Sequence, residues 1–226
     1  MIASRLRFAA LVTTRCWVNE SNALATLMLL SVPVTITARK IAFIGLGKMG
    51  AAMCARILEA GFELIVYNRT QAKTKPFADA GASVAKSPRA AATGADVVIT
   101  SLIDDESVFV TVLGEDGLLA GMRPGAIHLG TTTVLPKTAV TLGEMHRDAG
   151  SRYVSGPVLG RPDAAASGEL RTFLSGDTSA IAECSAVVAA YAAFAIGMGE
   201  DPATSMAMKV CANYIAAVQI ELMGEV

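Results

Sequence analysis

A chain of 226 residues can bury a sizeable core, and 53% hydrophobic residues exclude a disordered or low-complexity protein. Nineteen basic against twenty acidic side chains leave a net charge of -1, too weak a field to gather nucleic acid or an anionic membrane, so the expected partner is a small molecule. Cys16, Cys54, Cys184 and Cys211 show no CxxC spacing, and His128 and His146 have no second ligand or nucleophile beside them in sequence. A zinc site, a disulfide framework and a histidine-based mechanism are therefore not expected, and the thiols read as reduced and mostly buried.

The first 38 residues set Arg5, Arg7 and Arg15 against a single acid, Glu20, and carry ALATLMLLSVPVTI, too short to cross a bilayer as a helix. Three readings stand: an organellar targeting peptide, a segment that mimics a signal peptide, or an upstream extension. In each case residues 1–38 are expected to lie outside the fold, which leaves the remainder a cytoplasmic protein unless the leader directs it to an organelle.

From Lys40 the pattern alternates. KIAFIG predicts a strand and the stretch to Ala60 a helix; ELIVYN predicts a second strand, followed by a helix to about Ala80. ASVA, a short helix and DVVITSL follow, then DDESVFVTVL, AIHLG, a helix from about Pro136 to Ala149, and RYVSG. Short apolar strands separated by helices of this length imply parallel βαβ units, a doubly wound α/β domain covered on both faces. After FAIGMGED, Pro202 suits the start of a helix that runs to the last residue. Its Met206, Val210, Tyr214, Ala217 and Val218 form an apolar stripe that needs a partner surface, so self-association into a homo-oligomer is expected. The divisions read from this pattern are a leader (1–38), a Rossmann domain (39–200) and the start of a helical segment (201–226).

Gly45, Gly47 and Gly50 form G-x-G-x-x-G between the first predicted strand and the first predicted helix. In that context the first glycine permits a tight turn, the second lets a pyrophosphate approach the backbone, and the third lets helix and strand pack closely. The helix N-terminus adds unpaired N–H groups and partial positive charge, making Gly45, Leu46, Gly47, Lys48, Met49 and Gly50 the expected dinucleotide cradle. The second strand ends Tyr67-Asn68-Arg69-Thr70, without the carboxylate that usually accepts from the ribose of NAD. Arg69 offers a guanidinium fork to a 2′-phosphate and Thr70 a hydroxyl, which favours NADP, as NADPH in reduction; the alternative is that Arg69 is only a solvated charge.

FIGLGKMG, NRT, GTTTVLP (130–136), SGPVLGRPDAAASGEL (155–170) and KVCAN (209–213) together resemble the β-hydroxyacid dehydrogenase family. That family includes 3-hydroxyisobutyrate dehydrogenases, glyoxylate and succinic semialdehyde reductases and, more distantly, imine reductases; its nucleotide domain is of the 6-phosphogluconate dehydrogenase type. The resemblance covers Lys40 to Val226 and implies an NADP-dependent oxidoreductase acting on a small hydroxy acid, or on the aldehyde or keto acid that corresponds to it. It implies that Thr132 and Thr133 lie near the nicotinamide and that Leu102 and Ile103 line the cofactor. Where the family carries D-A-P-V-S-G-G to hold substrate, this chain has Ser155 to Arg161. Leu159 brings no donor, Gly160 is kept, and Arg161 either grips a carboxylate or faces solvent.

The resemblance also places the catalytic lysine at Lys209 and the substrate-orienting asparagine at Asn213. Independently of it, their i, i+4 spacing puts an ammonium and an amide on one helix face, where a cation that can deliver a proton suits a carbonyl oxygen gaining negative charge. Imine reductases usually replace this lysine, so a ketone or aldehyde fits better. The family continues into an all-helical domain of which only the first helix is expected here. The alternatives are a non-catalytic NADP-binding fragment and an imine reductase-like enzyme. No metal is expected.

Overall fold

A computed structural model describes residues 40–224; the leader at 1–38, with Cys16, lies outside the described residues. The chain opens with β1 (Lys40–Ile44), α1 (Lys48–Glu59), β2 (Glu63–Tyr67), a 3₁₀ turn, α2 (Lys75–Asp79), β3 (Ser83–Val84), α3 (Pro88–Ala92) and β4 (Val97–Thr100). It continues through α4 (Asp105–Leu113), β5 (Ile127–Gly130), α5 (Pro136–Asp148) and β6 (Arg152–Ser155). After these come β7 (Val158–Leu159), α6 (Pro162–Ser167), β8 (Leu170–Gly176), α7 (Thr178–Ala189), β9 (Ala192–Gly197) and α8 (Pro202–Gly224).

Strands β3-β2-β1-β4-β5-β6 pair in parallel, the order of a doubly wound sheet. Side chains of β1 alternate between the two faces. Ile41 and Phe43 enter a core with Met53, Ile57, Leu129 and Tyr191, while Ala42 and Ile44 enter the opposite core with Val112, Leu142 and Met206. Both faces are buried, which is why the central strands read as unbroken apolar runs.

Beyond β6 the sheet departs from the all-parallel expectation: β8 runs antiparallel to β6 and to β7, and α7 then returns β9 parallel to β8. A six-residue α6 is too short for a crossover helix across the sheet, so the chain folds back locally.

Helix α8 begins where expected, and its first turn joins the domain: Ser205 and Met206 are fully buried. Ending the chain near residue 200 would take both out of the core. The rest of the expected stripe emerges from the domain, with Val210, Tyr214 and Val218 exposed alongside Ile215, Ile220, Leu222 and Met223. An apolar surface of this extent tends to find another copy. Light scattering at micromolar concentration is expected to show an assembly larger than a monomer, and a monomer would contradict self-association. Among the described residues no helix is long and apolar enough to cross a membrane.

Candidate functional site

The strand order reverses between β1 and β4, and the crevice at their carboxyl ends is where an open α/β sheet receives a ligand. Gly45 turns the chain there with φ +101°, and its N–H donates to the Tyr67 carbonyl at 3.0 Å. A Cβ on Gly45 would collide with the Ser101 carbonyl, and one on Gly50 with the Gly45 carbonyl, so β1, α1 and the end of β4 meet only because both side chains are absent. Gly47 differs: it is exposed, and a Cβ there would project into open space beside the start of α1. That helix has no side-chain cap and no acid in its first turn, leaving its leading N–H groups and partial positive charge for an anion. Lys48 is exposed at the same end and Met49 half-buried.

Asn68, expected among the cofactor-binding residues at the end of β2, also bonds within the turn. Its Oδ1 accepts from the Leu46 N–H at 2.8 Å and its Nδ2 donates to the Thr70 carbonyl at 3.0 Å, so its side chain latches the glycine turn to the segment after β2. The latch occupies the Leu46 amide, and the amides that remain for an anion are those of α1. An asparagine directly after a strand is a signal for such local bonding. Arg69 and Thr70 are exposed, and Arg69 makes no ion pair among the described residues.

On the other side of the crevice the Leu102 N–H donates to Thr132 Oγ1 at 2.8 Å, and Thr131 Oγ1 donates to the Thr100 carbonyl at 2.8 Å. Leu102 and buried Thr132 are thus joined, whereas Ile103 and Thr133 face solvent. Lys209 stands half-buried one turn beyond Ser205, and this partial burial holds its ammonium below the usual lysine range; Asn213, a further turn along, is exposed. Leu159 lies half-buried in β7, Gly160 turns with φ +137°, and Arg161 is exposed before α6. No side-chain hydrogen bond or ion pair joins these three residues to Lys209 or Asn213 among the described residues.

The histidines were not expected to meet. His128 Nδ1 and His146 Nε2 lie 2.9 Å apart in the core; Thr100 Oγ1 is 2.9 Å from His128 Nε2, and Ser151 Oγ is 2.8 Å from His146 Nδ1. Burial pushes the His146 imidazole down to about 4 and that of His128 well below the usual range, so both are neutral. Ser151 also reaches the His146 carbonyl at 3.1 Å. If it donates there, each proton in the chain has an acceptor: Thr100 donates to His128, His128 to His146, and His146 to Ser151. Cys54 and Cys184 are buried and free, Cys211 is exposed, and no metal-ligand cluster forms among the described residues.

Comparison with known proteins identifies the family and the fold. The family model described as the NAD binding domain of 6-phosphogluconate dehydrogenase matches residues 40–208. The uncharacterized oxidoreductase YfjR of Bacillus subtilis is 39% identical over 82% of this chain and 65% of its own length. The NAD-dependent L-serine dehydrogenase of Pseudomonas aeruginosa is 38% identical over 80% of this chain and 60% of its own length. The chain thus spans under two thirds of either relative. Among solved structures, a 3-hydroxyisobutyrate dehydrogenase of Mycobacterium tuberculosis with L-serine superposes with a TM-score of 0.76 at 30% identity, over 83% of this chain and 63% of that one. With a match over most of its length and the glycine turn placed at the reversal of the sheet, the chain belongs to the family of the NAD binding domain of 6-phosphogluconate dehydrogenase, a nicotinamide-dinucleotide-binding fold.

Proposed function

We propose that the chain is an NADP-dependent oxidoreductase of the β-hydroxyacid dehydrogenase type, moving hydride between NADP(H) and a small hydroxy acid or the matching aldehyde or keto acid. The observation that carries the cofactor half is the uncapped, acid-free start of α1 beside an exposed, unpaired Arg69 at the end of β2. The pyrophosphate would lie against the amides of Gly47, Lys48, Met49 and Gly50, with Arg69 and Thr70 meeting the 2′-phosphate. Asn68 would act by holding the turn, and Leu102, Thr132 and the exposed Ile103 and Thr133 would form the wall on the nicotinamide side.

The nicotinamide supplies the hydride chemistry; the chain's own residues bind, orient and move the proton. Lys209 donates a proton to the carbonyl oxygen in reduction and recovers it in oxidation. Its partial burial weakens its hold on the proton, which makes the ammonium a better acid. Asn213 orients the substrate, and Leu159, Gly160 and Arg161 border the substrate space. The carbonyl reading is preferred to an imine because Lys209 is present. We place the protein in the cytoplasm, in keeping with the free thiols Cys54, Cys184 and Cys211.

Because the Pseudomonas relative is named NAD-dependent, cofactor choice is the first matter to test. Titration calorimetry is expected to give tighter binding of NADPH than NADH, and Arg69→Ala is expected to remove most of the difference. A charge-assisted contact of about 1.5–3 kcal/mol corresponds to roughly tenfold or more in affinity. Equal affinities in the parent chain would overturn the NADP assignment. Tight NADPH binding without turnover of any small carbonyl acid would favour the second reading, a nucleotide-binding module without catalysis.

A further inference from the structure

Three serine hydroxyls from distant parts of the chain meet in the core where α8 starts. Ser175 Oγ, on β8, lies 2.7 Å from Ser205 Oγ, which lies 2.8 Å from Ser155 Oγ at the end of β6. All three side chains are fully buried. Ser175 Oγ also accepts from the Ser205 N–H at 3.2 Å and reaches the Pro202 carbonyl at 3.2 Å, and Ser205 Oγ reaches the Ser155 carbonyl at 3.2 Å. With Ser175 donating to Ser205 and Ser205 to Ser155, the protons run in one direction and none of the serine hydroxyls is left without a partner.

The arrangement has a consequence for the helix. A helix can be held to a sheet by apolar packing alone, and Met206 supplies such packing on the other core. Apolar contact tolerates sliding and rotation, whereas a directional hydroxyl chain fixes both. Ser205, Lys209 and Asn213 follow one another at i, i+4 and i+8 and therefore share a helix face. Their burial falls in that order: Ser205 is buried, Lys209 half-buried and Asn213 exposed, as expected of a face that leaves the sheet edge. The same edge holds the carboxyl ends of β1, β4, β5 and β6, so whatever fixes Ser205 fixes the height and rotation at which Lys209 stands beside the crevice.

We infer that Ser205 is a positioning residue: its buried bonds to Ser155 and Ser175 lock the first turn of α8 to β6 and β8 and so set the placement of Lys209. The inference rests on the reading of Lys209 as the proton donor, but the lock itself can be measured without turnover. The partial desolvation of Lys209 is its signature, since a helix free to lift or rotate would return that ammonium to water.

The test uses the full 226-residue chain with S205A, S205T, S175A and K209A. Thermal melting and NADPH titration are made on each, and the pH midpoint of Lys209 acylation is read by mass spectrometry on the parent and the three serine variants, K209A serving as the control that identifies the acylated site. In the parent the midpoint is expected below the ordinary lysine value of about 10.4. In S205A the chain is expected to stay folded and to bind NADPH within about twofold of the parent, the cradle being built from other elements, while the midpoint rises toward the ordinary value. S205T keeps the hydroxyl and should restore the low midpoint; S175A should move it in the same direction as S205A by a smaller amount. An unchanged low midpoint in folded S205A overturns the inference, and so does loss of the fold in both S205A and S175A, which would make the serines purely structural. Turnover separates the two claims: undiminished turnover in K209A removes the proton-donor reading, yet a raised midpoint in S205A would still establish the lock.

Discussion

Replacing Lys209 with alanine is expected to lower turnover of a small carbonyl acid by about a hundredfold or more while leaving NADPH affinity nearly unchanged. The separation follows from placement. The amides at the start of α1 and Arg69 belong to the first half of the sheet, whereas Lys209 sits on α8, whose Ser205 is bonded to β6 and β8. In the role proposed for Lys209, removing the ammonium would take away a charge that matters only as negative charge builds on the carbonyl oxygen, together with the proton that quenches that charge. Binding of the dinucleotide uses neither. Single-turnover measurement of NADPH oxidation beside a calorimetric titration tests both halves. Lys209→Arg should fail to rescue, because a guanidinium keeps the charge but does not release its proton near neutrality. Undiminished turnover in Lys209→Ala would take the lysine out of the mechanism. Loss of NADPH binding would instead show that α8 helps to form the cradle. If the parent turns over too slowly to measure, the comparison is made on a fusion carrying the helical domain of a relative.

What the sequence made legible divides along the range of the interactions. From β1 to β6 most strands and helices are announced by their own residues, an apolar run and a glycine or proline at the turn, although the helix expected up to Ala80 is a 3₁₀ turn followed by the five-residue α2. Gly45 and Gly50 could be identified because the steric demand of the turn is local, and the collisions that a Cβ would cause bear this out. The arm formed by β7, β8 and β9 was not legible, because two-residue β7 and antiparallel β8 are defined by the strands they find rather than by a pattern of their own. The same holds within the site. The Asn68 latch shows only once the fold brings Leu46 within reach of its amide oxygen, and Ser155, Ser175 and Ser205 read as ordinary small residues until three separate elements converge. Met206 and Tyr214 occupy the same expected stripe, yet only Met206 found a partner in the domain. Periodicity gives the face of a helix but not the length over which that face is covered.

The histidine pair is the largest of these non-local features, and acid is expected to destabilise the fold through it well before the carboxylates titrate. His128 on β5 and His146 on α5 face each other with Tyr153 beside them, its ring stacked on His146 at 5.6 Å and edge-on to His128 at 5.2 Å. The surroundings offer hydroxyls from Thr100 and Ser151 but no carboxylate bonded to either ring, so a positive charge there would be buried without a counter-ion. Only one proton can lie between the two facing nitrogens, so protonating His146 at Nε2 would set it against the His128 Nδ1–H, and protonating His128 at Nε2 would set it against the Thr100 hydroxyl proton. In the unfolded chain each histidine titrates near the ordinary 6.5, whereas His146 in the folded protein does so only at about 4. Between those values the unfolded state binds protons that the folded state refuses. The stabilisation is therefore complete above about pH 6.5 and is lost as pH falls toward about 4. His146 alone accounts for roughly 3 kcal/mol of this change, and His128, depressed in the same direction, adds to it. In a domain of this size that corresponds to a fall in melting temperature of about 6–12 °C. Melting curves at intervals from about pH 7.5 to about pH 4.5 read the effect directly, and this window lies above the range in which Asp177, its carboxyl lowered by Ser179 and the Ala180 amide, would begin to contribute. His146→Gln keeps a polar group in the space but removes its titration, so the variant should lose less stability across the same interval even if it is less stable at neutral pH. A parent as stable at about pH 5 as at about pH 7.5 would mean that the buried pair accepts a proton, and that the one-way run of donors from Thr100 to Ser151 is wrong.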